Sequence, residues 1–115
     1  METRDTATRE SKMNASATTT IRPVATITRG PDYDGRMRID IDVTWIGADL
    51  DRPHVGGWAI SDKPALATRL KTAIEAGAVY ANPKIVKDSN GKTFVQAKSL
   101  VLGRHMNADL KRLGF

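Results

Sequence analysis

The sequence predicts a small α+β domain in which an antiparallel sheet of two hairpins packs on one main helix, with a short helix near the C-terminus. Three observations carry this expectation. Residues 37–45 alternate strictly between apolar and polar side chains, residues 64–76 place apolar side chains at helical spacing, and Asp88-Ser89-Asn90-Gly91-Lys92 reads as a hairpin turn between two strand-like runs. With 115 residues the chain has the size of one domain.

In chain order, residues 1–20 hold Thr, Ser, Ala, Asn and charges of both signs with no apolar periodicity, which is the composition of a disordered N-terminal tail. The folded unit is therefore expected over residues 21–115. From Ile21 to Thr28, Ile21, Val24 and Ile27 together with Thr26 and Thr28 suit a strand, and Pro23 fits near its start or on a sheet edge. Gly30-Pro31-Asp32-Tyr33-Asp34-Gly35 is dense in turn formers. Met37, Ile39, Ile41, Val43 and Trp45 then alternate with Arg38, Asp40, Asp42 and Thr44, so the apolar side chains share one sheet face and the polar ones the other.

Gly47 to Gly57 reads as a loop, followed by the short apolar run Trp58-Ala59-Ile60. Ser61 or Asp62 is the expected N-cap of a helix from Pro64 to Ala76. Its inner face is Leu66, Leu70, Ala73 and Ile74, and Gly77 closes it through a left-handed conformation. Ala78 to Tyr80 begins a strand that Asn82-Pro83 interrupts. Lys84 to Lys87 leads into Asn90-Gly91, both expected at positive φ, and the return strand runs from Lys92 to Val101. Gly103 ends it, and Asn107 to Leu113 forms the short terminal helix with Leu110 and Leu113 inward.

The excess positive charge is concentrated in the last third. Residues 78–115 carry seven Lys/Arg against two Asp/Glu, residues 24–77 seven against eight, and residues 1–23 four against three. Lys84, Lys87, Lys92, Lys98, Arg104, Lys111 and Arg112 therefore form the candidate nucleic-acid-binding set. With the hairpin and terminal helix side by side, they would contact successive phosphates and release counterions. The expected function is a small basic non-enzymatic accessory protein that binds nucleic acid. The alternative is an inhibitor or adaptor that docks on an acidic partner protein through an exposed strand edge or an exposed Trp. A homodimer through edge strands is also open.

Other chemistry finds little support. The chain has no cysteine, which removes disulfides, zinc-thiolate sites and Cys nucleophiles. It has no phosphate-binding Gly-Lys-Ser/Thr loop, no Gly-x-Ser-x-Gly elbow and no dinucleotide fingerprint, so no cofactor is expected. No apolar run reaches the roughly 18 to 20 residues that span a bilayer, so a cytoplasmic protein without membrane contact is expected. Asp32-Tyr33-Asp34-Gly35 lacks the remaining ligands of a calcium loop and reads as an Asx turn. Asp49, Asp51 and His54 share a loop, with His105 the one other imidazole, and a solvated polar loop is favoured over a metal site. Trp45 and Trp58 are read as core or core-edge side chains.

The Ala/Thr/Arg-rich composition and the ending Asn107-Ala108-Asp109-Leu110-Lys111-Arg112-Leu113-Gly114-Phe115 resemble uncharacterised small proteins of actinobacteria and their phages. The resemblance covers roughly the C-terminal half and names no family. It implies a gene carried on a mobile element and supplies no activity or catalytic residue.

Overall fold

A computed structural model describes residues 21–115, and the expected tail lies outside these described residues. The elements in order are β1 (Arg22–Pro31), β2 (Met37–Ile46), β3 (His54–Ser61), α1 (Pro64–Glu75), β4 (Tyr80–Lys87), β5 (Thr93–Ser99), a 3-10 turn (Gly103–His105) and α2 (Met106–Arg112). The strands form two antiparallel sheets, one of three strands in the order β1-β2-β3 and one hairpin of β4 and β5.

The alternation read in residues 37–45 is realised in β2, the central strand. Ile39, Ile41, Val43 and Trp45 are all buried on one face, and Arg38 and Asp40 form an ion pair at 3.1 Å on the other. Its partner β3 departs from expectation, because the strand begins at His54 and includes Gly56 and Gly57, which had read as loop. Glycine has no side chain to display a period of two, so the pattern that identifies strands is silent there. A register shift between Ile41 and Val43 accompanies the pair. An added Cβ on Gly57 would lie only 1.6 Å from the Ile41 carbonyl oxygen, so the close approach of the two backbones requires glycine.

Helix α1 covers the three-stranded sheet. Ala67, Leu70, Ala73 and Ile74 pack against Ala25, Ile39, Ile41, Val43 and Ile60, and Val79, Val101, Met106 and Leu110 complete the same core. The expected cap is corrected: Lys63 occupies the N-cap position and no side chain caps the helix. Asp62 turns away, its carboxylate accepting two hydrogen bonds from Arg29 at 2.9 and 2.7 Å. The helix also closes the free edge of β1. The Ala25 N–H donates to the Glu75 carboxylate at 3.1 Å and the Lys71 ammonium donates to the Ala25 carbonyl at 2.7 Å. These two side chains, themselves paired at 2.7 Å, thus occupy backbone groups that another strand would otherwise find open.

The β4–β5 hairpin does not share the face under α1, contrary to the expectation of two hairpins on one helix. It packs on the far end of the sheet, where Val95 joins Ile21 and Trp45, flanked by Ile85, Ala97 and Tyr80. The Trp45 and Tyr80 rings are tilted with centroids 5.3 Å apart, and Trp58 lies 6.2 Å from Tyr80 on its other side. A parallel bridge between Arg52 and Phe94 links the two sheets, with the Arg52 N–H donating to the Thr93 carbonyl at 2.9 Å.

The Asn82-Pro83 interruption appears as a register shift inside β4 between Ala81 and Lys84, with Asn82 at φ 53°. The turn after β4 differs in type from the expected two-residue loop. Gly91 has φ 77° but Asn90 is not at positive φ, and Gly91 N–H donates to the Asp88 carbonyl while Asp88 N–H donates to that of Lys92. This is a turn closed by a left-handed glycine, a shape that also suits the strand twist. The β1–β2 turn repeats it, with Gly35 at φ 80° and the Asp32 carboxylate accepting from the N–H groups of Asp34 and Arg36. The Asx reading of Asp32 is thereby realised. β5 ends at Ser99, two residues earlier than expected, since Leu100 turns to donate its N–H to Val79.

Candidate nucleic-acid interface

Residues directly opposite in an antiparallel pair share a face, so the hairpin register sorts its side chains. Ile85 opposite Val95 faces the Trp45 cluster, while Lys84 opposite Gln96 and Val86 opposite Phe94 face away from it. Lys98 follows on the same outward face, opposite Ala81. Lys84, Gln96 and Lys98 line a shallow trough of about 280 Å³ together with Ala81, Asn82 and Ala97. The inward side chains anchor the hairpin, and on the outward face Lys84, Gln96 and Lys98 are exposed while Val86 and Phe94 are half-buried.

Among the described residues neither Lys84 nor Lys98 forms an ion pair, and no acidic side chain lines the trough. The tip of the hairpin is different. Asp51 reaches across from the loop before β3, its carboxylate accepting the N–H and hydroxyl of Thr93 at 2.9 and 3.0 Å. Those hydrogen bonds hold its carboxyl below the usual carboxylate range, with Lys92 and Lys87 adding to the effect. Asp88 is likewise held low, first by the Lys92 N–H, and its second oxygen pairs with Arg52 at 3.1 Å. The positive field of Lys87 and Lys92 is therefore partly compensated, whereas that of Lys84 and Lys98 is not.

The other three candidate residues ride on different elements. Arg104 lies in the 3-10 turn, and Lys111 and Arg112 lie on α2, which packs on α1. Arg112 donates to the Asp109 carboxylate at 2.8 Å, while Arg104 and Lys111 are free of ion pairs among the described residues. The seven cations thus divide into an open pair on the hairpin face, a compensated pair at its tip, and a terminal group of which one is already held. Gln96 reads from the sequence as a solvated hairpin residue with Lys92 and Lys98 but is not one of the seven candidate cations, and its spacing of two from Lys98 is the signal that places it beside the lysines.

The loop residues weighed for a metal turn to other tasks. Asp51 holds Thr93, and the His54 ring nitrogen Nδ1 lies 2.9 Å from the Thr44 hydroxyl. Among the described residues no three His, Asp or Glu side chains gather as a metal site requires, and no helix is long and apolar enough to cross a membrane. Trp45 is buried and Trp58 half-buried, as core and core-edge residues. No protein family, curated protein or solved structure matches this chain.

Proposed function

We propose that this is a small non-enzymatic nucleic-acid-binding protein whose principal contact is the outward face of the β4–β5 hairpin. The observation that carries the reading is the uncompensated pair Lys84 and Lys98 flanking Gln96 on one face, in a chain whose last third holds the positive excess. Two ammonium groups on a flat ribbon contact phosphates as point charges, and the Gln96 amide supplies both a donor and an acceptor between them. Such contacts position a backbone without reading bases, so base selectivity is low and affinity falls steeply with salt. Lys87, Lys92, Arg104 and Lys111 add to the attracting field, and Arg112 contributes less because Asp109 holds it.

Fluorescence anisotropy with labelled single- and double-stranded oligonucleotides at low and moderate salt tests this. Binding that weakens log-linearly with salt is expected. Absence of affinity for any DNA or RNA at low salt rejects the reading and leaves docking on an acidic protein as the surviving role for the same face.

A further inference from the structure

A second groove, separate from the hairpin face, runs between the beginning of α1 and the 3-10 turn. It holds about 330 Å³ and is lined by half-buried Leu66 and buried Met106, with Lys63, Arg104, His105 and Asn107 beside them. Its polar side chains come from two distant segments of the chain and meet because α2 packs on α1.

The chemistry of the rim is one-sided. No acidic side chain lines the groove. The acids nearest in sequence are engaged elsewhere: Asp62 is bound by Arg29, and the Asp109 carboxylate accepts from the Leu102 N–H at 2.9 Å and from Arg112. Lys63 and Arg104 have no side-chain hydrogen bond or ion pair among the described residues, while His105 acts on Asp109 and helps hold that carboxyl low. Asn107 is oriented by Arg69, whose guanidinium donates to the Asn107 Oδ1 at 2.7 Å, so the acceptor end of the amide is occupied and its NH₂ end remains as a donor. Donors beside half-buried Leu66, with the unpaired cations of Lys63 and Arg104 and no lining carboxylate, match a phosphate joined to a flat ring.

We propose that this groove binds a nucleotide unit, with the phosphate against Lys63, Arg104 and Asn107 and the base or sugar against Leu66. The unit is either a free mononucleotide or one residue of a strand. The site goes beyond the hairpin reading and shares none of the trough's residues, only Arg104 of the surrounding field, so failure at one face is distinguishable from failure at the other.

Amide NMR spectra of the full chain, titrated with adenosine monophosphate and in a second arm with a short oligothymidylate, test the inference. The amides of Leu66, Arg104, His105 and Asn107 are expected to shift in at least one arm. Lys63→Gln with Arg104→Gln should weaken that binding by about tenfold or more, the scale of losing one or two charge-assisted hydrogen bonds. Arg36→Gln, a cation that lines neither the groove nor the trough, should leave it unchanged, and equal melting temperatures establish that both variants are folded. Shifts with the mononucleotide identify a free nucleotide site, and shifts with the oligomer alone identify a strand phosphate, both in support. The inference is overturned if the groove amides stay fixed in both arms at about 10 mM ligand, a level that fills even a millimolar site. It is equally overturned if the double variant in the groove binds as the parent does.

Discussion

The carboxylate of Asp109 accepts the backbone N–H of Leu102 at 2.9 Å, although the two residues lie on either side of the 3-10 turn. Asp109 is the one charged side chain buried among the described residues, and its second oxygen takes the Arg112 guanidinium. It therefore fastens α2 to the segment leaving β5, and α2 in turn delivers Met106 and Leu110 to the core.

This contact predicts an acid-sensitive fold. The Leu102 N–H, then Arg112, hold the Asp109 carboxyl below its ordinary range, and Glu75, Asp62, Asp51 and Asp88 are lowered by partners of their own. A carboxyl with a depressed folded-state pKa takes up its proton first in the unfolded chain. Its stabilisation is full above the unfolded value near about 4 and is lost as pH falls through the folded value. Urea midpoints should hardly change between about pH 7 and 5 and drop below about pH 4. Asp109→Asn should lower the midpoint at neutral pH and make the acid drop shallower. An unaltered acid profile in that variant would show that Asp109 is not part of it.

Gly57 and Gly56 make an internally controlled pair. A methyl at Gly57 would collide with the Ile41 carbonyl, while one at Gly56 meets nothing within 4 Å. Gly57→Ala is expected to destabilise by about 1–3 kcal/mol, the range for forced overpacking, and Gly56→Ala to be close to neutral. Thermal melts of the two variants side by side check this, and equal melting temperatures would contradict the close approach of β2 and β3.

Tyr80 offers a substitution in the opposite direction. Its hydroxyl is buried with no hydrogen-bond partner among the described residues, and burial pushes its pKa up to about 12. Tyr80→Phe keeps the ring against Trp45 and Trp58 and removes the unpaired group, so stability should be unchanged or rise by about 1 kcal/mol. In a Tyr33→Phe background the remaining tyrosinate absorbance should appear only near pH 12. A marked loss of stability in Tyr80→Phe would mean that the hydroxyl has a partner in solution.

For the hairpin face, the salt dependence is more diagnostic than affinity alone. Removing two phosphate-contacting lysines in Lys84→Gln with Lys98→Gln should reduce the slope of log K against log salt by about 2. Lys87→Gln should have a smaller effect, because Lys87 shares its surroundings with Asp51. Anisotropy titrations across a salt series measure both, and an identical slope for the double variant and the parent would remove the hairpin from the interface.

Much of the fold was legible before the structure, element by element. β2 was readable because a half-buried strand must alternate, and α1 because one helical face must be apolar. The ending of α1 was readable in Gly77, found at φ 78° with its N–H donating to the Ile74 carbonyl. β3 was only half readable, since its strand character near Gly57 rests on a contact with Ile41 rather than on its own side chains. The helix cap was misread for a related reason: Asp62 is a good capping residue in isolation, and a bidentate Arg29 on a neighbouring strand won it. The candidate site was legible as charge alone. Nothing local distinguishes Lys84 from Lys92, yet only the second sits beside Asp51.

What the sequence determined by itself is local: which segments alternate, which carry a helical stripe, and where a glycine must take a left-handed backbone. Those properties follow from periods of two and 3.6 residues and from the absence of a Cβ, which act over neighbouring positions. Only the tertiary structure decided that the β4–β5 hairpin packs on Trp45 and not under α1, that Asp51, Asp62, Asp88 and Asp109 take up particular cations and N–H groups, and that Lys63, Arg104 and Asn107 meet around one groove. Those outcomes depend on contacts between residues far apart in the chain, and the net field of a surface is set by which charges remain unpaired after those contacts form.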